Sequence, residues 1–193
     1  MKKELLMSNW KLLYNDIPKG LKSYDQESLL TLGNGYIGWR GAPLLSRYDE
    51  NHYPGLYAAG LFNQTITPIA GRQVVNEDMV NLPNPQLVKI FVDGEPIAFD
   101  PVERSAELNF KNGRLIEKYR FNSKKGSLSL ETIKAVDPIH FHSFGYRLKL
   151  KSGFDAKIDI EAIIDGTVQN KTLKDIAIFN HENLLLSAAK KIF

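Results

Sequence analysis

Apolar and polar residues alternate along the chain from about residue 87 to residue 164, and this rhythm permits few folds. A period of two places alternate side chains on opposite faces of a β-strand. Turn sequences interrupt the alternation at Asp93-Gly94, Asn112-Gly113, 123–126, Asp137-Pro138 and Ser152-Gly153. The Asp-Gly and Asn-Gly pairs suit the tight turns of hairpins. Successive strands without intervening helices predict an all-β fold, a large antiparallel β-sandwich whose sheets have one buried and one wetted face.

The alternation also predicts which side chains share a strand face. Segments 87–92 and 96–99 are predicted to form one hairpin, and segments 106–110 and 114–121 a second. The sets expected on common faces are Leu115, Glu117, Tyr119 and Phe121; Leu128, Leu130, Thr132, Lys134 and Val136; and His142, Phe144, Tyr146, Leu148 and Leu150.

The first 86 residues are less regular. Residues 10–14 alternate and predict a first strand, which a turn at 15–20 ends. Segment 23–31 fits either a short helix or an extended lead-in, because its apolar content is low. Residues 42–86 hold five prolines and many aromatic side chains. We expect an ordered loop system there, packed on the scaffold or on a neighbouring domain.

The stretch 32–41, Leu-Gly-Asn-Gly-Tyr-Ile-Gly-Trp-Arg-Gly, holds four glycines in ten residues. Glycine permits positive φ and close approach of other groups, at an entropic cost. We therefore expect a backbone of fixed and unusual shape. It would present four side chains to another part of the protein, namely Asn34, Tyr36, Trp39 and Arg40.

The same stretch matches G-x-G-x-x-G, the dinucleotide-binding fingerprint. That fingerprint requires a strand before it and a helix that starts inside it. Gly41 and Pro43 would break such a helix, and no βαβ pattern follows. We therefore predict no nucleotide site and no cofactor.

Composition limits the partners and the cellular compartment that we expect for this protein. Its 25 Lys and Arg against 22 Asp and Glu give a formal charge of +3, without a basic cluster large enough to indicate nucleic-acid binding. The chain has no cysteine, which excludes disulfides and thiolate metal sites within it and fits a reducing compartment. The sequence shows no apolar run of signal-peptide length or of the roughly 20 residues that span a membrane. We expect a cytoplasmic protein without membrane or nucleic-acid partners.

Acidic and histidine pairs suggest little catalytic chemistry. Adjacent residues in an extended chain point to opposite sides, so neither Asp49-Glu50 nor Glu77-Asp78 forms a two-carboxylate site by itself. His140 and His142 would share one strand face, a metal-binding spacing, but no third ligand is evident. No serine, histidine and acid stand out as a triad. The sequence therefore predicts no catalytic residue and no metal site in this chain.

Several blocks of the sequence together resemble a known family. Residues 27–41, Glu-Ser-Leu-Leu-Thr-Leu-Gly-Asn-Gly-Tyr-Ile-Gly-Trp-Arg-Gly, are similar to the signature of the N-terminal domain of glycoside hydrolase family 65. That family holds maltose, trehalose and kojibiose phosphorylases and acid trehalases. Later blocks correspond in order, at 55–60, 80–84, 92–95, 108–115 and 165–170. One departure is Ala42-Pro43, where the family often has an acidic pair soon after Arg-Gly.

The resemblance implies a galactose mutarotase-like super-sandwich. In the family, a helical linker and an (α/α)6 barrel follow, and the barrel carries the catalytic glutamic acid and the phosphate site. Residues 1–193 contain none of the barrel's motifs. They would thus be the non-catalytic N-terminal domain of a longer disaccharide phosphorylase, ending before the sandwich is complete, as the abrupt segment 184–193 also suggests. That final segment is expected to be one more strand or the start of a helix.

The resemblance also implies partners and a reaction. The parent enzyme would cleave an α-glucosidic disaccharide such as maltose, kojibiose or trehalose with inversion, with inorganic phosphate as co-substrate. Its own barrel, the disaccharide and a second copy in a homodimer are the expected partners. Asn34, Tyr36, Trp39 and Arg40 would either shape the barrel's sugar pocket or lock the glycine-rich stretch at a structural or domain interface, and the second interpretation is favoured.

Two other classes of function stay open at this point. A stand-alone carbohydrate-binding module would use exposed aromatic residues, in which segment 48–62 is rich. A mutarotase-like enzyme would need an acid–base pair in a sheet cleft. His142 with Glu131 or Glu161 is the candidate for that pair.

Overall fold

The computed structural model describes residues 6–8, 10–168, 170 and 186–187. Within them are fifteen strands and one helix, α1, which spans Leu21–Leu29. The strands are β1 Leu6–Ser8, β2 Lys11–Tyr14, β3 Leu32–Gly33, β4 Ile37–Trp39, β5 Leu56–Ala58, β6 Phe62–Ile69, β7 Arg72–Met79, β8 Asn84–Val92, β9 Glu95–Pro96, β10 Glu103–Asn109, β11 Arg114–Ser123, β12 Gly126–Val136, β13 Phe144–Ser152, β14 Ile158–Asp165 and β15 Leu186–Ser187.

The largest sheet has six antiparallel strands in the order β1-β2-β10-β11-β12-β13. Short turns join β10 to β11 and β11 to β12, where the Asn-Gly and Lys-Lys-Gly sequences predicted them. Side chains on β11 and β12 alternate between buried and exposed, as the sequence pattern requires. The prediction of consecutive antiparallel strands is confirmed here.

A four-stranded sheet, β15-β14-β8-β9, packs on one half of the inner face of the six-stranded sheet. Positive φ at Asp93 and Gly94 gives the tight turn predicted between β8 and β9, although β9 is shorter than expected. The core between the sheets consists of Val88 and Ile90 from β8, Tyr119 and Phe121 from β11, Leu128 and Leu130 from β12, and Leu44. The two packed sheets confirm the predicted antiparallel sandwich.

The other half of that inner face is covered by α1 and by a three-stranded sheet, β3-β4-β5. Two apolar clusters form beneath this cover. One contains Leu12, Leu30, Leu32, Ala106, Leu108 and Leu115, and the other contains Ile37, Trp39 and Leu56 packed against Phe144 and Tyr146 of β13.

A band of polar side chains lies on the six-stranded sheet between these two apolar halves. Glu117 and Thr132 are register partners on β11 and β12, and Lys134 follows on β12. All three are buried. Lys134 Nζ donates to the carbonyl of Ala42, which follows β4, and to Gln86 Oε1 of β8, at 2.5 and 3.1 Å. The band therefore joins both covering layers along the seam between them.

Segment 23–31, which the sequence left undecided, lies mostly in α1. The helix buries its polar residues Ser23, Gln26 and Glu27, and it exposes Leu21 and Leu29. An apolar stripe normally marks the buried face of a surface helix. Here the buried face of α1 contacts polar residues, so the spacing of apolar residues in segment 23–31 did not predict a helix.

The prediction of irregular structure over residues 42–86 is wrong in its second half. Residues 42–55 do lack strands, but β6 and β7 then pair over eight positions, and β8 begins at Asn84. The β6–β7 turn is Ala70-Gly71, with positive φ at both residues. Most of β7 is exposed on both faces, and Pro68 lies inside β6. A strand without a buried face shows no apolar alternation, and an internal proline argues against a strand.

The predicted final element, 184–193, falls largely outside the described residues. Of it the structure describes Leu186–Ser187, which pairs as β15 with β14. In the described part of the chain, no helix has the length and apolar character needed to cross a lipid bilayer.

Candidate functional site

The glycine-rich stretch 32–41 folds as a tight hairpin of β3 and β4. Leu32 pairs with Trp39 and Gly33 with Gly38, so residues 34–36 form the turn. Gly35 takes a φ of +89°, which L side chains rarely adopt. No helix follows β4 before β5, so the geometry of a dinucleotide-binding turn is not formed.

Asn34 and Tyr36 attach this turn to the connection between β12 and β13. Asn34 Oδ1 accepts the backbone N–H groups of Tyr36 and Ile37 at 3.1 and 2.8 Å. Asn34 Nδ2 donates to the carbonyls of Asp137 and Phe141 at 2.7 and 3.1 Å. The ring of Tyr36 packs edge-on against His142, with ring centroids 4.3 Å apart. Both predicted residues therefore contact the sandwich of this same chain.

Trp39 lies inside the domain, with 1% of its surface exposed. Its ring packs edge-to-face with Phe144 of β13, with centroids 5.1 Å apart. Lys134 Nζ lies 5.2 Å from the centroid of the indole ring. This distance suits a cation–π contact, which strengthens when water is excluded.

Arg40 joins the glycine-rich stretch to α1 and to residues 42–55, the loop between β4 and β5. Its Nε donates to the carbonyl of Tyr53 at 2.9 Å, and its two terminal nitrogens donate to Ser28 Oγ at 2.8 Å and to the carbonyl of Tyr24 at 3.0 Å. The guanidinium also lies 5.0 Å from the centroid of the Tyr53 ring. The planar fork of arginine suits several fixed acceptors at once.

Glu27 forms the centre of a polar cluster that the sequence did not predict. Its Oε1 lies 2.8 Å from His52 Nδ1, its Oε2 accepts the Tyr53 N–H at 2.9 Å, and Arg40 lies 3.7 Å away. The carboxylate is buried on α1. The only signal for it in the sequence is that Glu27 opens the block that resembles the family signature.

A cleft of about 360 Å³ with a mixed polar and apolar lining opens beside the Glu27–His52 pair, with Ser23, Phe99 and Arg104 among its lining residues. Ser23 Oγ lies 3.5 Å from His52 Nδ1, the same nitrogen that faces Glu27. In a catalytic triad the serine and the acid use different nitrogens of the ring. These three residues therefore lack triad geometry, and their contacts hold α1 against residues 49–53.

Arg104 and Glu117 form a buried ion pair beneath α1. One terminal nitrogen of Arg104 lies 3.0 Å from Glu117 Oε1, and the other donates to Gln26 Oε1 at 2.9 Å. Tyr119 Oη donates to the same Glu117 oxygen at 2.6 Å. Burial, together with the charge of Glu117, raises the pKa of Tyr119 well above its usual value. The pair therefore links α1 to the centre of the six-stranded sheet.

Lys134 of the polar band is, like Arg104, a buried cation whose charge interacts with that of Glu117. Burial lowers the pKa of its amine to about 8, although the negative charges of Glu117 and Glu27 oppose this effect. Its amine donates to Ala42 and Gln86, and the Arg40 carbonyl lies 3.4 Å away. These acceptors compensate in part for the loss of water around a buried amine.

We expect the free energy of unfolding to increase with pH above about pH 8. The folded-state pKa of Lys134, about 8, lies below the ordinary lysine value of 10.5. The unfolded state therefore binds more protons between these values, and stability rises with pH. Urea unfolding at about pH 7.5 and about pH 9.0 measures the slope, because unfolded tyrosines, whose pKa is about 10, are ionised by only about a tenth at the higher pH. Lys134→Met should remove that part of the slope, and an unchanged slope in the variant would contradict the assignment.

The two acidic pairs do not form two-carboxylate sites. Asp49 Oδ1 accepts the N–H groups of Asn51 and His52, each at 2.7 Å, and Glu50 lines the cleft beside the Glu27–His52 pair. Glu77 accepts a hydrogen bond from Gln64 at 2.9 Å, while Asp78 lies on the opposite face of β7. The adjacent acids of the second pair point apart, as predicted.

The prediction that His140 and His142 share a strand face is wrong. Both lie in the connection 137–143, and β13 begins at Phe144. The carboxylate of Asp137 accepts the N–H groups of His140 and Ile139, at 3.0 and 2.8 Å, which closes the turn. These hydrogen bonds, the one from His140 first, lower the pKa of Asp137 to about 2. Among the residues that the structure describes, no group of three potential ligands could hold a metal ion.

The two acid–base pairs considered for a mutarotase, His142 with Glu131 and His142 with Glu161, are not formed. His142 packs against Tyr36 and Phe141. Glu131 lies on the outer face of β12, where Lys118 Nζ is 3.7 Å away, and Glu161 lies on β14 of the other sheet.

The structure thus defines a class of protein: an antiparallel β-sandwich domain whose glycine-rich hairpin is bonded to its own scaffold. The family model for the N-terminal domain of glycosyl hydrolase family 65 matches residues 18–191. The chain belongs to this family, which confirms the resemblance of its sequence blocks.

Individual relatives agree with this family. Trehalose 6-phosphate phosphorylase from Lactococcus lactis subsp. lactis is 47% identical over 184 residues, which are 95% of this chain and 24% of that protein. Kojibiose phosphorylase from Caldanaerobacter subterraneus subsp. tengcongensis is 30% identical over 172 residues, and the match covers 83% of this chain and 21% of that protein. The chain thus spans about a quarter or less of the length of these relatives.

A solved structure also matches the domain. It comes from the human microbiome and is assigned as a kojibiose phosphorylase. It superposes with a TM-score of 0.72 at 19% identity, over 82% of this chain and 22% of its own length. At this identity the likeness shows a shared fold.

Proposed function

We propose that this chain is the N-terminal domain, without catalytic residues of its own, of a disaccharide phosphorylase. The observation that carries the proposal is the 47% identity over 184 residues to a trehalose 6-phosphate phosphorylase of which the chain spans 24%. In this proposal residues 1–193 are a β-sandwich domain that packs on and orients an (α/α)6 barrel, and the barrel performs the chemistry.

The proposed reaction is inverting phosphorolysis. One carboxylic acid of the barrel protonates the departing glycosidic oxygen while inorganic phosphate attacks the anomeric carbon from the opposite face. Inversion at an α-glucosidic bond releases β-glucose 1-phosphate. Phosphate is the co-substrate, and the proposal includes no further cofactor.

Trehalose 6-phosphate is the substrate that we favour. The identity to the trehalose 6-phosphate phosphorylase, 47%, exceeds the 25 to 31% identities to four kojibiose phosphorylases. Kojibiose, trehalose and maltose are the competing substrates. The proposal also includes a cytoplasmic setting, which fits a chain without cysteine, and a homodimer of the parent enzyme.

We also propose that Asn34, Tyr36, Trp39 and Arg40 fix the glycine-rich hairpin at a structural or domain interface. Internal hydrogen bonds of Asn34 and Arg40 and the burial of Trp39 support this role. Trp39→Phe in the parent enzyme should lower stability and leave the KM for the disaccharide within about twofold. A large rise in KM with an intact fold would favour the pocket-shaping interpretation.

The test of the proposed function is an assay of the parent polypeptide. Trehalose 6-phosphate, trehalose, kojibiose and maltose are each supplied with and without inorganic phosphate. We expect phosphate-dependent release of β-glucose 1-phosphate, fastest from trehalose 6-phosphate, and no turnover by residues 1–193 alone.

Other outcomes of this assay would contradict the proposal. Release of free glucose without phosphate would indicate a hydrolase, and turnover by residues 1–193 would place catalytic residues in this chain. An immunoblot of source cells that shows a native product of 21.8 kDa, together with glucoside binding, would favour the stand-alone carbohydrate-binding module.

A further inference from the structure

The β6–β7 hairpin, residues 62–79, is called the arm here, and its apolar face is the exposed one. Cross-strand partners share a face of a hairpin. Phe62 therefore lies beside Met79 and Ile66 beside Val75 on one face. The exposed fraction is 51% for Phe62 and 48% for Met79, and it is 63% for Ile66 and 54% for Val75. Together, these four side chains form the apolar face of the arm.

The opposite face of the arm is more polar and less exposed. Its half-buried side chains are Asn63, Thr67, Asn76 and Asp78. Asn76 Nδ2 donates to Thr67 Oγ1 across the strands at 3.0 Å. Two apolar side chains, Ile69 and Val74, are also exposed on this face, at 55% and 38%. The apolar side chains are nevertheless concentrated on the other, more exposed face, and exposed apolar patches mark interaction sites.

The base of the arm is held firmly against the sandwich. Asn170 Nδ2 donates to the carbonyl of Met79 at 3.0 Å, and Asn170 Oδ1 accepts the N–H of Asn81 at 2.7 Å. Asn81 in turn accepts the N–H of Leu56 at 3.0 Å. A preformed projection loses little conformational entropy when it binds.

We propose that the apolar face of the arm docks on the catalytic portion of the parent phosphorylase. This inference rests on the proposed function, because it names the surface through which the domain contacts the barrel. About three quarters of the Lactococcus relative lies outside the region that this chain matches. Much of such a parent polypeptide is therefore available to cover the arm.

The charge on the arm favours this partner over a second copy of the chain. Glu77 lies on the apolar face between the Phe62–Met79 and Ile66–Val75 pairs. Two copies that meet with the middle of this face on a twofold axis would bring two Glu77 carboxylates together as water is excluded, and like charges at an interface oppose binding. We therefore expect the partner surface to be apolar, with one basic side chain opposite Glu77.

The test measures how accessible the arm is in the parent enzyme. Ile66→Cys places a thiol on the apolar face, and Ile69→Cys places one on the opposite face in the same strand, a matched control of similar exposure. The chain has no cysteine of its own, and peptide mass spectrometry locates a maleimide label. We expect labelling at position 66 to be at least about tenfold slower than at position 69, since a covered thiol reacts through rare opening.

A second measurement uses the unmodified parent. Oxidation of Met79 by hydrogen peroxide should be at least about tenfold slower in the native enzyme than in the enzyme unfolded in guanidinium chloride. Equal labelling at positions 66 and 69, or rapid native oxidation of Met79, would overturn the inference. Protection that disappears when a dimer is diluted to monomers would also overturn it and assign the face to a second copy. Failure of the proposed function is distinct, because it would appear as absent phosphorolysis in the unlabelled enzyme.

Discussion

Gly41→Ala is expected to destabilise this chain by about 3 kcal/mol or more, because overpacking against backbone atoms cannot be relieved by a rotamer change. A Cβ at position 41 would lie 2.4 Å from Leu30 Cβ and 2.9 Å from the Leu30 carbonyl oxygen. Leu30 is fully buried. The N–H of Gly41 also donates to the carbonyl of Glu27 at 2.9 Å, which holds the two segments together.

Gly38→Ala is the matched control for this experiment. Gly38 lies in the same stretch, and the nearest atom to a Cβ at position 38 would be Tyr57 Cβ at 4.0 Å. Alanine there should change stability by less than about 1 kcal/mol, since it meets no clash and reduces the freedom of the unfolded chain. Urea unfolding of the two variants measures the difference. Equal midpoints would refute the role assigned to the contact between Gly41 and Leu30.

Arg104→Met is expected to cost about 3–5 kcal/mol of unfolding free energy, because it leaves a buried carboxylate without the cation that is hydrogen-bonded to it. Glu117 is fully buried, and among the described residues Tyr119 would remain as its hydrogen-bond donor. The substitution also removes the donor to Gln26, which connects the sheet to α1. Thermal or urea unfolding of the chain measures the loss.

The double variant Arg104→Met/Glu117→Leu tests the cause. Replacing both members of a buried ion pair with apolar residues is often much less destabilising than breaking the pair. We therefore expect the double variant to regain at least half of the stability lost by Arg104→Met. A double variant as unstable as the sum of both single substitutions would show that packing, and not the unpaired charge, dominates the loss.

The burial of the polar band and the presence of α1 could not be predicted from the pattern of apolar residues. The alternation placed Glu117, Thr132 and Lys134 on the inner face of the sheet correctly. It did not indicate that two covering layers meet above them, which is why charged groups are buried there. Similarly, α1 carried no apolar stripe, since its buried face meets Arg104, Asp16 and His52.

The arm shows the opposite case. The turn Ala70-Gly71 and the internal Pro68 did not resemble a hairpin signal, and the strands have no buried apolar face in the described chain. Their pairing comes from backbone hydrogen bonds between β6 and β7. If a partner covers the arm, the reason for its apolar residues lies in that partner and cannot be read from this chain's own core.

The sequence by itself determined the antiparallel strands from β8 to β14, most of their turns and the faces of β11 and β12. These are local properties, because side-chain alternation follows from the pleat of one strand and a tight turn depends on a few residues. Only the tertiary structure decided the partners of Glu27, Asn34, Arg40 and Lys134. Glu27 and His52 are 25 positions apart, and Asn34 and Asp137 are 103 apart. Contacts across such separations depend on how the layers pack, and no local pattern records that packing.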